Sequence, residues 1–176
     1  MIQSRKDLHE YILQDMKRNG VELGGVISWM KIHANPRLWF QYNLRYYEYY
    51  HNTRRNPWNR MMELFHYVIH KRLSYMLGFT IYANNFGPGL YIAHYGTIVV
   101  NKGCRIGTNC TIHACVNIGH SGGVIGDDVY IGPGAKIIKP VRIGNNVKIG
   151  ANAVVNKDVP DNCVVAGVPA KIVKYL

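Results

Sequence analysis

The chain has 176 residues, of which 48% are apolar, and its formal net charge is +11 at pH 7. This length suits one domain or a core domain with an appendage, and the apolar content is ample for a packed interior. No apolar run approaches the roughly 20 residues of a membrane-spanning helix, and residues 1–7 lack the apolar core of a signal peptide. We therefore predict a globular, cytoplasmic protein.

The excess of positive charge is spread over the whole chain. Lys and Arg outnumber Asp and Glu by 12 to 6 before Phe79 and by 9 to 4 from Phe79 onward. Such a balance favours polyanionic partners, among them nucleic acid, an anionic membrane surface and a phosphate-rich cofactor. Because the charge is not concentrated in one patch, we predict no nucleic-acid interface.

The N-terminal part of the chain has helical patterning. Apolar residues recur at amphipathic spacing in residues 7–17, and Pro36 and Pro57 each suit the first turn of a further helix. Residues 58–77 carry the strongest apolar stripe, and Gly78 suits the end of that helix.

An aromatic and arginine-rich segment precedes that last helix. Its aromatic residues are Trp39, Phe40, Tyr42, Tyr46, Tyr47, Tyr49 and Tyr50, and its arginines include Arg37, Arg45, Arg54, Arg55 and Arg60. The favoured interpretation is a helix whose aromatic rings pack on a neighbour while its arginines face water. The alternative is a helix that binds a membrane surface or nucleic acid.

A hexapeptide repeat fills the second half of the chain. The repeated aliphatic residues are Val100, Ile106, Ile112, Ile118, Ile125, Ile131, Ile137, Ile143, Ile149 and Val155. A period of six is the signature of a β-helix, a coil of short parallel strands with three hexads in each turn. Small or β-branched residues two places earlier, such as Cys104 and Cys110, suit a narrow interior. The four cysteines lack CxxC spacing, so we expect reduced thiols rather than a zinc or disulfide framework.

Two features interrupt this repeat. The step from Ile118 to Ile125 is seven residues, so one residue is inserted within His120-Ser121-Gly122-Gly123, and such extruded loops often carry function. Counting back six from Val100 gives His94, where an imidazole replaces an aliphatic side chain. Taken alone, His94 fits either a hydrogen-bonded core group or a catalytic base.

These residues carry a resemblance to a known family. The hexads, the stretch Ile92-Ala93-His94-Tyr95-Gly96-Thr97-Ile98-Val99-Val100 and the closing Ala166-Gly167-Val168-Pro169-Ala170-Lys171 resemble the left-handed β-helix acyltransferases, specifically the serine acetyltransferase branch. The resemblance implies a mainly β fold, with a left-handed parallel β-helix over residues 78–176 preceded by an α-helical region over residues 1–77. It also implies a homotrimer, because active sites of the family lie between adjacent coils.

The implied activity is acetyl-CoA-dependent O-acetyl transfer, with His94 as the general base. A hydroxyl is a weak nucleophile at neutral pH, whereas a thioester is a good electrophile, so a base with a pKa near 7 is the missing component. A positioned base typically accelerates such a reaction by about 10²- to 10⁴-fold. No metal is expected to take part.

The acceptor is less closely defined by the resemblance. Serine acetyltransferases carry a carboxylate directly before the histidine and another about fifteen residues upstream, whereas this chain has Ala93 and Phe79-Thr80 there. No acidic residue lies between Glu63 and Asp127, and the extruded loop is shorter than in the family. Either serine or a sugar hydroxyl therefore remains as the acceptor, and we expect His113 and His120 to contact it. His113 lies about one turn after His94, which also leaves it free to orient the base or to face solvent.

The later coils are suited to the donor. They carry Lys136, Lys139, Arg142, Lys148, Lys157 and Lys171, with no acidic residue between Asp128 and Asp158, which complements the phosphates of CoA. In the family the closing turn borders the CoA groove between subunits, although such a turn is also a plain C-terminal cap. The expected cofactor-binding residues are Gly132, Lys136, Ala151, Lys157, Gly167, Pro169, Ala170 and Lys171.

The sequence leaves three alternatives to a serine acetyltransferase-like enzyme. The first is a sugar O-acetyltransferase of capsule or exopolysaccharide biosynthesis, whose basic, aromatic N-terminal region would suit peripheral contact with a membrane. The second is a metal enzyme like the γ-type carbonic anhydrases, using His94, His113 and His120, but the spacing does not match that family. The third is a non-catalytic scaffold that needs neither His94 nor CoA.

Overall fold

The structure is a computed structural model that describes all of residues 1–176, with four helices before a coil of strands. The helices are α1 (Arg5–Arg18), α2 (Gly25–Ala34), α3 (Pro36–Asn52) and α4 (Pro57–Leu77). Prolines open α3 and α4, and Gly78 ends α4 in the left-handed conformation, as predicted. Helix α2 was not predicted from the sequence, because its apolar residues do not form a single stripe.

The strands build a coil with three parallel sheets. They are β1 (Phe79–Thr80), β2 (Tyr91–Ile92), β3 (Ile98–Val100), β4 (Arg105–Ile106), β5 (Thr111–Ile112), β6 (Asn117–Ile118), β7 (Val124–Ile125), β8 (Tyr130–Ile131), β9 (Lys136–Ile137), β10 (Arg142–Ile143), β11 (Lys148–Ile149), β12 (Val154–Val155), β13 (Cys163–Ala166) and β14 (Lys171–Tyr175). Sheet 1 holds β1, β3, β6, β9 and β12, sheet 2 holds β4, β7 and β10, and sheet 3 holds β2, β5, β8, β11 and β13. Strand β14 pairs antiparallel with β13. The predicted left-handed parallel β-helix with a helical N-terminal region is confirmed.

The interior of the coil is filled by the aliphatic residues of the repeat. All ten repeat positions from Val100 to Val155 are buried, as are Cys104 and Cys110. Several corners of the coil take the left-handed conformation at asparagine, for example at Asn109 and Asn152 with φ near 56°. All four cysteines are free thiols.

The repeat contains a second irregularity that the sequence analysis missed. In a regular turn, partner residues are eighteen apart, as in Tyr130 and Lys148. Tyr91 pairs with Thr111, twenty residues on, so two extra residues lie between β2 and β3. Counting back by six from Val100 therefore fails across this stretch. The prediction that His94 replaces an interior aliphatic residue is wrong, and His94 is exposed instead.

The helical region and the coil share one core. Phe40, Leu44, Leu73 and Leu77 belong to the same buried cluster as the interior of the coil. The division into domains at residues 77 and 78 stays a prediction, although α4 ends and β1 begins there. No helix has both the length and the apolar character needed to cross a membrane.

A buried ion cluster also joins the two regions. The Arg45 side chain bonds to Asp15 at 2.7 Å and Glu48 at 2.8 Å, and all three side chains are at most 1% exposed. Arg45 also donates to the carbonyls of Phe86 and Gly87. The expectation that the arginines of this segment face water is wrong for Arg45, because two buried carboxylates compensate its charge.

Helix α4 buries less of its apolar stripe than its pattern suggests. Leu73 and Leu77 pack in the core, but Leu64 is 63% exposed and Phe65 is 55% exposed. The remaining exposed apolar residues of α4 include Trp58, Met61, Val68 and Met76. The apolar stripe predicted the helix correctly, but most of its side chains face solvent and are not buried in the core.

Candidate active site

His94 and His113 lie together at one edge of the coil. We call this the histidine edge: the corner segments 93–97, 113–116, 132–135 and 150–153, which lead from sheet 3 to sheet 1. The two rings are 6.0 Å apart between centroids and are tilted by 50°. The structure therefore brings together the two histidines that the sequence placed on adjacent turns.

The second histidine is held from the opposite side by an aromatic ring. His113 meets Tyr130 edge to face, with 5.0 Å between ring centroids. Burial lowers the pKa of His113, and the neighbouring His94 lowers it further. A lowered pKa favours the uncharged imidazole of His113, which can both donate and accept a hydrogen bond.

Helix α3 holds the backbone that leads into His94. The Arg37 Nη1 donates to the carbonyl of Ala93 at 2.6 Å and to that of Ile92. Gln41 Nε2, one turn later on α3, donates to the carbonyl of Leu90 at 2.7 Å. Sequence reasoning missed both residues. The available signal was the spacing of Arg37, Gln41 and Arg45, which puts polar side chains four apart on one face of an aromatic helix.

The acidic residues on either side of this region in the sequence are engaged elsewhere. Glu63 Oε1 bonds to His51 Nδ1 at 2.7 Å, and Asp127 Oδ1 accepts from the backbone N–H of Thr108 at 2.6 Å. Neither His94 nor His113 has a hydrogen bond to a carboxylate. The corner around His94 is held through its backbone, in part by Arg37, and not by a carboxylate bonded to the imidazole.

His120 lies at another edge of the same coil. It follows β6 at the corner between sheets 1 and 2, is exposed, and has Nδ1 2.7 Å from the carbonyl oxygen of Ser121. Arg105 pairs with Val124, nineteen residues on, so the predicted one-residue insertion lies in this corner. Within one chain, His120 is separated from His94 by sheet 1, and no three His, Cys, Asp or Glu side chains form a metal-binding group.

Several residues predicted to bind the donor follow the histidine edge. Gly132 and Ala151 lie in its corner segments, and Gly167 continues the same edge after β13. Lys136 reaches this edge, since its Nζ donates to the Cys115 carbonyl at 2.6 Å. A Cβ at Gly132 would stand 2.7 Å from the Ile149 carbonyl oxygen, so close packing of turns requires glycine there.

The other residues predicted to bind acetyl-CoA lie in two places, at the C-terminal end of the coil and at the edge that carries His120. Ala170 donates its N–H to the Val154 carbonyl at 2.8 Å, after the exposed Pro169, and Lys171 begins β14. Lys157 follows β12 and lies at the edge that carries His120. A groove that used all of these residues would need both edges, which face away from each other in one chain.

Comparisons with known proteins agree with this fold. The family described as bacterial transferase hexapeptide (six repeats) matches residues 122–157. The serine acetyltransferase of Mycobacterium tuberculosis is 40% identical over 94 residues, which are 49% of this chain and 41% of that protein. The crystal structure of Neisseria gonorrhoeae serine acetyltransferase superposes with a TM-score of 0.69 at 27% identity, over 97% of this chain and 66% of that one. A serine acetyltransferase in complex with CoA gives a TM-score of 0.74 at 26% identity, over 96% and 70% of the two chains.

The chain folds into a β-helix built from a hexapeptide repeat. In sequence and in fold it is similar to the serine acetyltransferase branch of the β-helix acyltransferases. The chain spans less than half the length of the curated relative from Mycobacterium tuberculosis.

Proposed function

We propose that this protein is an acetyl-CoA-dependent O-acetyltransferase in which His94 is the general base. The observation that carries the proposal is an exposed His94 beside His113, in a corner anchored by Arg37, on a coil similar to that of serine acetyltransferases. One of those relatives binds CoA, which supports acetyl-CoA as the donor.

The proposed reaction follows from the position of His94 on the surface. His94 takes the proton from the acceptor hydroxyl as that oxygen bonds to the acetyl carbonyl carbon. The carbon–sulfur bond then breaks, and His94 returns the proton to the sulfur of the departing CoA. The adjacent His113, whose pKa is lowered by burial, would hydrogen-bond the acceptor.

The donor groove is proposed to form between subunits of a homotrimer. The histidine edge and the edge with His120 and Lys157 flank sheet 1 on opposite sides. A threefold arrangement of coils would bring the histidine edge of one subunit against the other edge of its neighbour. This arrangement would bring His94 close to His120 of the neighbouring subunit, and Lys136 close to that subunit's Lys157. Light scattering that gave a monomeric mass at assay concentration would contradict it.

Two acceptors are supported by different observations. Serine is supported by the similarity of the chain to serine acetyltransferases. A sugar hydroxyl, as in a polysaccharide O-acetyltransferase, is favoured by Ala93 before His94 and by the lack of acidic residues between Glu63 and Asp127, since an amino acid's ammonium group needs a carboxylate partner.

Peripheral contact with an anionic membrane surface is also proposed. The exposed apolar side chains of α4 lie beside the exposed Arg54, Arg55, Arg60 and Arg72. An apolar face with basic flanks matches the acyl boundary and the anionic headgroups of a bilayer. Sedimentation with phosphatidylglycerol vesicles but not phosphatidylcholine vesicles would support this contact, and no sedimentation with either would contradict it.

The proposed activity is tested by following free CoA thiol from acetyl-CoA. L-Serine and a panel of sugars and nucleotide sugars serve as acceptors, with wild type beside His94→Ala. His9→Ala, which changes an exposed histidine on α1, is the matched control. We expect release with at least one acceptor, retained in the control and lowered about 10²- to 10⁴-fold in His94→Ala. No release with any acceptor despite CoA binding would favour the scaffold.

A further inference from the structure

A groove lies next to the corner that carries His94. It has a volume of about 540 Å³ and lies between helices α3 and α4 and the first turn of the coil. Its lining includes Tyr67, Lys71, Tyr75, Thr97 and Lys102. This volume is within the range of about 300–1,000 Å³ that small-molecule sites usually have.

The groove is physically joined to the His94 corner. The backbone N–H groups of Gly96 and Ile98 donate to the carbonyls of Leu77 and Gly78 at 3.2 and 3.0 Å. Thr97 lines the groove and is three residues from His94, so their Cα atoms are at most about 11 Å apart. The groove and the His94 corner are therefore adjacent, and a ligand longer than one sugar ring would span the distance between them.

The charge of the groove is uniformly positive. Lys71 and Lys102 line it, and none of its lining residues is acidic. Glu48 is bonded to Arg45 and to the N–H of Asn84, and Glu63 is bonded to His51. The groove therefore offers no free carboxylate for an ammonium group, whereas it suits a ligand with a carboxylate or phosphate.

His70 adds a hydrogen-bond acceptor. Its Nε2 lies 2.9 Å from the Ile81 carbonyl oxygen, which requires a proton on Nε2 and leaves a lone pair on Nδ1. Nδ1 is buried and has no partner in the protein, although His70 lines the groove. Since an unpaired buried acceptor is costly, a ligand hydroxyl at this atom would be stabilised.

Tyrosine rings complete the surface. Tyr47 stacks on His70 at 5.3 Å and contacts Tyr67 at 5.7 Å, while Tyr75 is 82% exposed at the groove. Rings of this kind offer a large apolar face with a polar tip, which matches a sugar ring with its apolar face and peripheral hydroxyls.

We propose that this groove is the acceptor site and that the acceptor is a saccharide carrying a negative charge, not a free amino acid. The inference rests on the proposed acetyl transfer for the role of His94. It rests on the groove alone for the class of ligand.

The test measures binding by calorimetry in the absence of acetyl-CoA. Methyl β-D-glucuronide is compared with methyl β-D-glucoside, which has an uncharged hydroxymethyl group in place of the carboxylate, and with L-serine. The variants are Lys71→Gln/Lys102→Gln and, as the matched control, Lys17→Gln/Lys174→Gln, which changes two exposed lysines outside the groove. We expect the glucuronide to bind about tenfold more tightly than the glucoside, with the preference lost in the groove variant alone.

A second pair of variants examines the neutral contacts. His70→Phe removes the Nδ1 acceptor, and we expect it to weaken both sugars about tenfold while preserving the preference for the acid. Tyr75→Ala changes an exposed ring and serves if His70→Phe does not fold. It should weaken both sugars by about threefold or more.

The outcomes separate this inference from the proposed activity. Failure of both sugars to bind, or an acid preference equal in the two lysine variants, overturns the acceptor inference. Serine-dependent thiol release that the groove variants leave unchanged also overturns it, while acetyl transfer stands. Sugar binding without thiol release from any acceptor would instead overturn the transfer and leave the groove as a saccharide site.

Discussion

The Arg37 guanidinium on α3 donates a 2.6 Å hydrogen bond to the carbonyl of Ala93, the residue directly before His94. The N–H of the same Ala93 donates to the Ile112 carbonyl at 2.9 Å, as part of the coil. Both polar groups of Ala93 are thus held, one by the coil and one by the helical region. Strand β2 is the edge strand of sheet 3, so no earlier turn of the coil lies beside it, and the second anchor comes from the helical region.

Substituting Arg37 should therefore impair turnover more than stability. We expect Arg37→Leu to lower kcat about 10- to 100-fold, because a base displaced by even 1 Å loses much of its effect, while the KM for acetyl-CoA is unchanged. The matched control is Arg18→Leu, since Arg18 on α1 also bonds to the coil, at Asn109 and Thr111. Steady-state kinetics with equal losses in both variants would show that Arg37 has no specific role at His94.

Loss of Arg45 should destabilise the whole protein. Burial opposes the charge of Arg45, but Asp15 and Glu48 raise its pKa and keep it ionised. Arg45→Met leaves two buried carboxylates uncompensated, so we expect the free energy of unfolding to fall by about 3–5 kcal/mol. Urea denaturation measures this loss. Arg54→Met, which removes an exposed arginine 3.6 Å from Glu63, is the control and should cost less than about 1 kcal/mol. Similar losses in Arg45→Met and Arg54→Met would contradict the conclusion that the buried cluster contributes more to stability than the exposed ion pair.

Cys115 should be the one thiol that reacts readily in the native protein. It is exposed on the histidine edge, two residues after His113, whereas Cys104, Cys110 and Cys163 are buried. Burial raises the pKa of Cys104 to about 11 and that of Cys110 to about 12. Mass spectrometry after iodoacetamide should show one modified cysteine, and CoA should slow the reaction if it binds along this edge. Modification at several sites, or no protection by CoA, would be the contrary result.

The stability of the protein should fall at acid pH partly through His70. Burial lowers the pKa of His70 to about 4, with Lys71 adding to the effect and the Ile81 carbonyl opposing it. His70 is therefore protonated below about pH 6.5 in the unfolded chain but only below about pH 4 in the folded protein. Above about pH 6.5 the burial of His70, which is neutral in both states, causes no pH-dependent loss of stability. As the pH falls below about 6.5, the free energy of unfolding decreases, by up to about 3 kcal/mol at pH 4.

His70→Gln is the comparison for this pH dependence, because it keeps a donor for the Ile81 carbonyl and does not titrate. Denaturation curves at pH 7, 5.5 and 4 should show a smaller loss of stability in His70→Gln than in wild type. Parallel curves for the two proteins would mean that His70 is protonated equally in the folded and unfolded states.

The sequence by itself determined the coil and the ends of the main helices. A hexad repeat places the same small or aliphatic residue in the same environment on every turn, so Ile106, Ile131 and Val155 could be assigned to the interior without knowledge of their partners. Pro36, Pro57 and Gly78 act on the backbone within a few residues, which is why the starts of α3 and α4 and the end of α4 were predictable.

Only the tertiary structure decided the surroundings of the site. The exposure of His94 depends on a two-residue expansion that shows itself only when β2 is paired with β5. The anchoring by Arg37, the burial of Arg45 and the groove beside Thr97 each join segments that lie far apart in the chain. Periodicity reports which face of an element is apolar. It does not report which distant polar groups satisfy one another, because that depends on how the helices pack on the coil.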